Sequence, residues 1–154
     1  MPFRIRGLAP EPFAALHALP DDRLAACRAR RMVVDRPHAF PCRISLTDAT
    51  PGQTVILTHF EHHAVDSPFR ASHAIYVRAD EQRYDAIDAV PDMLRRRLLS
   101  VRGFDVYGML CDAAVVEGTR LEEAIRRMFS IDAVTYLHLH IAAPGCFAAR
   151  VERA

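Results

Sequence analysis

The chain has 154 residues, 51% of them hydrophobic and 25% charged, with a formal net charge of +1. That length suits one domain, residues 1–154, able to bury a core without disulfide staples. Scattered charge lacks the basic stripe of a nucleic-acid partner, and no apolar run approaches the roughly 20 residues that span a bilayer. With no signal-peptide pattern at the amino terminus, the expectation is a cytoplasmic protein with no nucleic acid and no membrane among its partners.

All 20 basic residues are arginine. The absence of lysine excludes a Schiff-base lysine, a P-loop lysine and a lysine general base within this chain. Asn and Trp are absent too, and an Arg- and Ala-rich composition of this kind points to a GC-rich bacterial genome. The tightest basic cluster, Arg95-Arg96-Arg97, reads as a solvated helix end, where cations favour the helix dipole. Cys27, Cys42, Cys111 and Cys146 form no C-x-x-C pair. Their default reading is a small buried hydrophobe. It applies above all to Cys27 and Cys111, while Cys42 and Cys146 stay open to chemistry.

In chain order, Phe3 to Leu8 reads as a strand. Pro12 opens a helix carrying Phe13, Leu16 and Leu19, and Asp21 caps a second short helix through Leu24 and Cys27. Met32 to Val34 and Pro41 to Leu46 are extended, and the Pro51-Gly52 turn launches a strand over Thr54 to Phe60. Glu61 to Arg70 reads as a polar loop. Ser72 to Arg78 alternates as a strand, with His73 on the face of Ile75 and Val77. Asp80 to Asp88 is charged and exposed, Asp92 to Arg97 helical, Leu98 to Phe104 extended, and Val106 to Val116 holds a further strand. The clearest helix is Arg120 to Phe129, with Thr119 and Glu122 as a capping box and Leu121, Ile125, Met128 and Phe129 on one face. A hairpin closes the chain: Val134 to Ile141, a turn at Ala143-Pro144-Gly145, then Cys146 to Val151. The fold class is therefore α+β, a mostly antiparallel sheet with helices packed on one face, ending in a β-hairpin.

The hairpin carries the chemistry. Apolar residues must meet apolar residues across it, because a one-residue slip turns a strand over. A three-residue loop meets this rule, with Gly145 left-handed, Ile141 opposite Phe147 and Leu137 opposite Val151. His138 then faces Arg150, and His140 faces Ala148. Tyr136, His138, His140, Cys146 and Arg150 share one surface.

Four readings of that surface remain open. One is a solvated outer face. Another is an anion pocket in which His138, His140 and Arg150 bind a small anionic molecule, with Arg70 and His73 at its edge. A third is a transition-metal site on His138 and His140, completed by His73, His59 or Cys146, although no cofactor is called for by any motif. The fourth is a thiol enzyme with Cys146 as nucleophile, His140 or His138 as base and Arg150 beside the thiol. His59, Glu61, His62 and His63 form a second cluster; on a strand, His59, Glu61 and His63 would share a face. A structural or interaction domain without a pocket is the further alternative.

The blocks FPCRISL (Phe40–Leu46), SPFRASHAIYVR (Ser67–Arg78), SVRGFD (Ser100–Asp105) and HLHIAAPGCFAARVER (His138–Arg153) together resemble the bacterial domain of unknown function 1203. The resemblance implies a stand-alone cytosolic bacterial protein and supplies no activity. The family carries Asn where this chain has Ile141. YLHLHIAAPG also resembles the histidine-triad hydrolase motif, with Tyr136 in place of the first histidine; that likeness implies His138 as nucleophile and His140 as a phosphate partner. The functional expectation is a small-anion pocket over the hairpin; a metal- or thiol-dependent enzyme at the same residues is the alternative.

Overall fold

The computed structural model describes residues 1–154. Its strands are β1 (Phe3–Arg6), β2 (Ala29–Val33), β3 (Pro41–Cys42), β4 (Thr47–Asp48), β5 (Thr54–His63), β6 (Ala71–Val77), β7 (Asp85–Ile87), β8 (Leu98–Phe104), β9 (Leu110–Glu117), β10 (Tyr136–Ile141) and β11 (Phe147–Arg153). They form two sheets: six strands in the order β7-β1-β11-β10-β8-β9, and five in the order β2-β5-β6-β3-β4. Every pairing is antiparallel except β3 with β6. The fold is α+β and closes with the expected hairpin. It divides its strands between two sheets where one was expected.

Three α-helices accompany them: α1 (Asp21–Ala26), α2 (Asp92–Arg95) and α3 (Leu121–Phe129). The α3 face of Leu121, Ile125, Met128 and Phe129 is buried on the six-stranded sheet, against Leu99, Val101, Leu137, Leu139 and Val151. Each such side chain contributes about 1.5–3 kcal/mol when removed from water. The five-stranded sheet has its own apolar cluster, in which Phe13 and Leu24 cover Ile56, Ile75 and Val77. Helices thus pack on both sheets. The segment opened by Pro12 is a 3₁₀ helix, Glu11–Ala18.

Two expected caps do not form. Asp21 sits inside the first turn of α1 and binds Arg31 at 2.6 Å, so Pro20 takes the cap position. A 3₁₀ turn, Gly118–Arg120, precedes α3 and moves Thr119 off its cap; Glu122 instead receives Arg95 at 2.5 Å. Arg97 binds Asp48, and Arg96 lies 3.9 Å from it, so the arginine cluster is held by carboxylates of this chain. The segment around Asp85, expected to be a charged exposed stretch, adds the edge strand β7. No helix is long and apolar enough to cross a membrane. All four cysteines are free. Cys27 and Cys111 are exposed, which corrects the expectation of burial: Cys27 ends α1, and Cys111 lies on the edge strand β9.

The sheets meet over the hairpin. Gly7 permits one close approach, since a Cβ there would stand 2.0 Å from the Ile44 carbonyl oxygen. The ends of β5 and the 40–44 segment therefore reach the side of β10 that faces away from α3.

Candidate functional site

The hairpin register is as expected far from the turn: Leu137 faces Val151 and His138 faces Arg150. Near the turn it slips by one. His140 faces Phe147, not Ala148, and the Ile141 amide bonds the Cys146 carbonyl, so the loop has four residues. A bulge between these two registers absorbs the extra residue. Gly145 takes the left-handed conformation, at φ 79°. The slip turns Phe147 onto the histidine side, away from the face shared by Leu137 and Val151.

That side is not solvated. His138 and His140 are each 2% exposed, and Tyr136 and Cys146 are buried as well. The cover comes from β5, which continues through His63 where a loop from Glu61 was expected. A second bulge, between Phe60 and His63, breaks the alternation that would have grouped His59, Glu61 and His63. Glu61 points out to Arg70 and His59 is exposed, whereas His62 and His63 turn towards the other sheet.

His63 is fully bonded. Its Nδ1 donates to the Phe69 carbonyl at 2.8 Å, which leaves Nε2 to accept the Tyr136 hydroxyl at 2.6 Å. Its ring stands 4.8 Å from that of His138, edge on. His62 stacks on Phe147 at 5.1 Å and meets the His140 ring edge on at the same distance. His62, His138 and His140 each offer one ring nitrogen, and these atoms lie within 4.8 Å of one another.

The state of those nitrogens decides what the cluster can do. Nδ1 of His62 and Nδ1 of His138 are buried without a hydrogen-bond partner. Nδ1 of His140 donates to the Gly145 carbonyl at 2.9 Å, so Nε2 carries that ring's lone pair. Burial pushes His138 down to about 2, helped by the positive charge of Arg150. Burial likewise pushes His140 down to about 3 and His62 to about 4. All three imidazoles are neutral at pH 7.

Other expected site residues lie apart. Arg150 stacks over the Tyr136 ring at 4.0 Å and binds Glu152 at 2.8 Å. Arg70 is exposed and holds Glu61 through two bonds. His73 and Cys146 line a different cleft, about 350 Å³ in volume, with Arg43, Tyr76 and Arg97. Cys146 therefore has Arg43 as its polar partner, at 2.9 Å, and not a histidine base.

His62 was named in the second histidine cluster but read as part of a polar loop, apart from His138 and His140. Arg43 escaped the sequence reading; its signal was a lone charge inside the apolar run Phe40 to Leu46.

These features define an α+β protein with a buried three-histidine cluster between two sheets. The chain belongs to the family described as Protein of unknown function (DUF1203), whose model matches residues 39–153. That span includes all three histidines, Arg43 and Cys146. No curated protein and no solved structure matches the chain.

Proposed function

We propose that this chain is a transition-metal protein whose centre is His62, His138 and His140. The carrying observation is the convergence of three neutral imidazoles, two of them with a buried, unbonded Nδ1. Metals bind the neutral ring, so the depression of these pKa values favours a metal where it disfavours an anion. The Gly145 carbonyl fixes His140 as backbone carbonyls commonly fix metal ligands. Nitrogens about 2.0–2.1 Å from one tetrahedral ion stand roughly 3.3 Å apart, so the rings would close by up to about 1.5 Å on binding. Imidazole donors suit zinc, iron, nickel or copper.

Three protein ligands leave a position open, the arrangement of catalytic rather than structural zinc. Arg102 has no carboxylate partner, and its charge, like a dication's, opposes protonation of His62 and His140. A dication beside Arg102 favours a small anion as the fourth ligand, which brings the expected anionic molecule to this site through the metal. A bacterial cytoplasm fits the four free thiols.

Elemental mass spectrometry of tag-free protein tests the reading. The expected result is about one transition metal per chain, lost in His138→Ala and in His62→Ala. Metal-free protein that also shows no thermal shift with zinc, iron, nickel or copper would overturn it.

A further inference from the structure

The Arg43 guanidinium is 1% exposed, and none of this chain's carboxylates pairs with it. Nε donates to the Phe147 carbonyl at 2.7 Å, Nη1 to the Pro41 carbonyl, and Nη2 to the Cys146 sulfur at 2.9 Å. A guanidinium carries five N–H donors and does not give up its proton, so two donors and a full charge remain. A buried charge without a counter-charge is costly. Cys146 Sγ is the one ionisable atom bonded to it.

Both residues line the 350 Å³ cleft between the five-stranded sheet and the hairpin turn. His38, His73, Tyr76 and Arg97 supply the rest of its polar wall, and no carboxylate lines it. The cleft shares no residue with the metal cluster. Arg97 is met by Asp48, so the sulfur is held against the one guanidinium of the cleft that has no carboxylate partner.

We propose that this cleft is a reactive-thiol site for small organic anions that carry an electrophilic carbon. Arg43 holds the anionic group and Cys146 is the nucleophile. The thiol proton goes to solvent. The sulfur electron pair then forms the S–C bond as the carbon–leaving-group bond breaks, and the leaving group departs with its pair. Cys42, Cys27 and Cys111 serve as internal references. Burial pushes the Cys42 thiol up to about 11, and the other two are exposed without an arginine contact.

The test is parallel alkylation of metal-stripped native protein by iodoacetate and iodoacetamide at pH 7, read at each cysteine by peptide mass spectrometry. Removing metal lets this proposal and the metal reading fail separately. Cys146 should react with iodoacetate about tenfold faster than Cys27 or Cys111. Its iodoacetate-to-iodoacetamide rate ratio should exceed theirs by about tenfold, because the cleft's charge draws the carboxylate. Acetate as competitor should slow Cys146 and leave Cys27 unchanged. Arg43→Met should bring the ratio down to that of Cys27; should that variant not fold, the wild-type ratios and the acetate competition decide alone. A Cys146 as slow as Cys42, or a ratio equal to that of Cys27, overturns the proposal.

Discussion

His138 is buried and its Nδ1 is unbonded, a state that a protein without a ligand for it gains nothing from. Leaving such an atom unsatisfied costs about 1–3 kcal/mol. Metal-free His138→Leu should therefore be more stable than wild type by about 1 kcal/mol, a rise of roughly 2–4 °C in melting temperature, while losing metal altogether. Thermal denaturation of both proteins after chelation checks this. A loss of 1 kcal/mol would mean the ring is held by contacts that leucine cannot replace. The same burial makes stability depend on pH. His138 at about 2 and His140 at about 3 lie far below an ordinary imidazole at 6.5. Above pH 6.5 both states leave these rings neutral and stability is flat. Below it the unfolded chain binds protons that the fold refuses, so stability falls as pH falls. The slope approaches about 1.4 kcal/mol per pH unit for each ring. Denaturant melts of metal-free protein between pH 6.5 and 4.5, above the carboxylate range, should show this decline. His62, at about 4, adds a third such ring, so His138→Leu should remove about a third of the decline; an unchanged profile would show that His138 is not the group being protonated.

At the level of elements, a helix cap and two glycines separate what pattern predicts from what the fold uses. A working Thr cap is worth about 1 kcal/mol. Thr119 makes no such bond, so Thr119→Ala should change the urea midpoint negligibly, and a 1 kcal/mol loss would restore the capping box. Gly145→Ala should cost about 1–2 kcal/mol, for conformation alone, because its φ is 79° and nothing lies within 4 Å of the added Cβ. Gly7→Ala should cost far more, since the new atom meets the Ile44 carbonyl. Equal effects would mean the two sheets can part at Gly7 without penalty. The α3 face was legible because its period of about 3.6 is carried by large apolar residues. Leu137–Val151 and His138–Arg150 were legible because apolar residues had to match across the hairpin. The bulges were not: alternation specifies two faces but says nothing of where one strand carries an extra residue. Two of the bulges fall at the site, one turning Phe147 inward and the other bringing His62 in beside His63. The shared face of His138 and His140 could therefore be read from sequence. Its burial could not, since that depends on a second sheet whose contact with the first is set by non-local packing.

On the scale of the whole molecule, the three candidate ligands come from different sheets: His62 from β5, His138 and His140 from β10. Without metal, the sheets are joined here by the Tyr136–His63 hydrogen bond, the Arg43 bond to the Phe147 carbonyl and the stack of His62 on Phe147. A bound ion would add a cross-link that neither sheet can make alone. Ligand at 100 times its dissociation constant adds about 2.7 kcal/mol to stability, or roughly 5–11 °C for a chain of this size. The distribution of that gain distinguishes a cross-link from a surface site. Hydrogen exchange with saturating zinc should slow at both Phe60–His63 and the β10–β11 hairpin, and should leave the edge strand β9 unchanged. His62→Ala keeps two imidazoles on one strand, so the hairpin should retain weak zinc protection while the end of β5 loses all of it. If zinc protects only the hairpin in wild-type protein, His62 is not a ligand, and the metal sits on one sheet instead of holding two together.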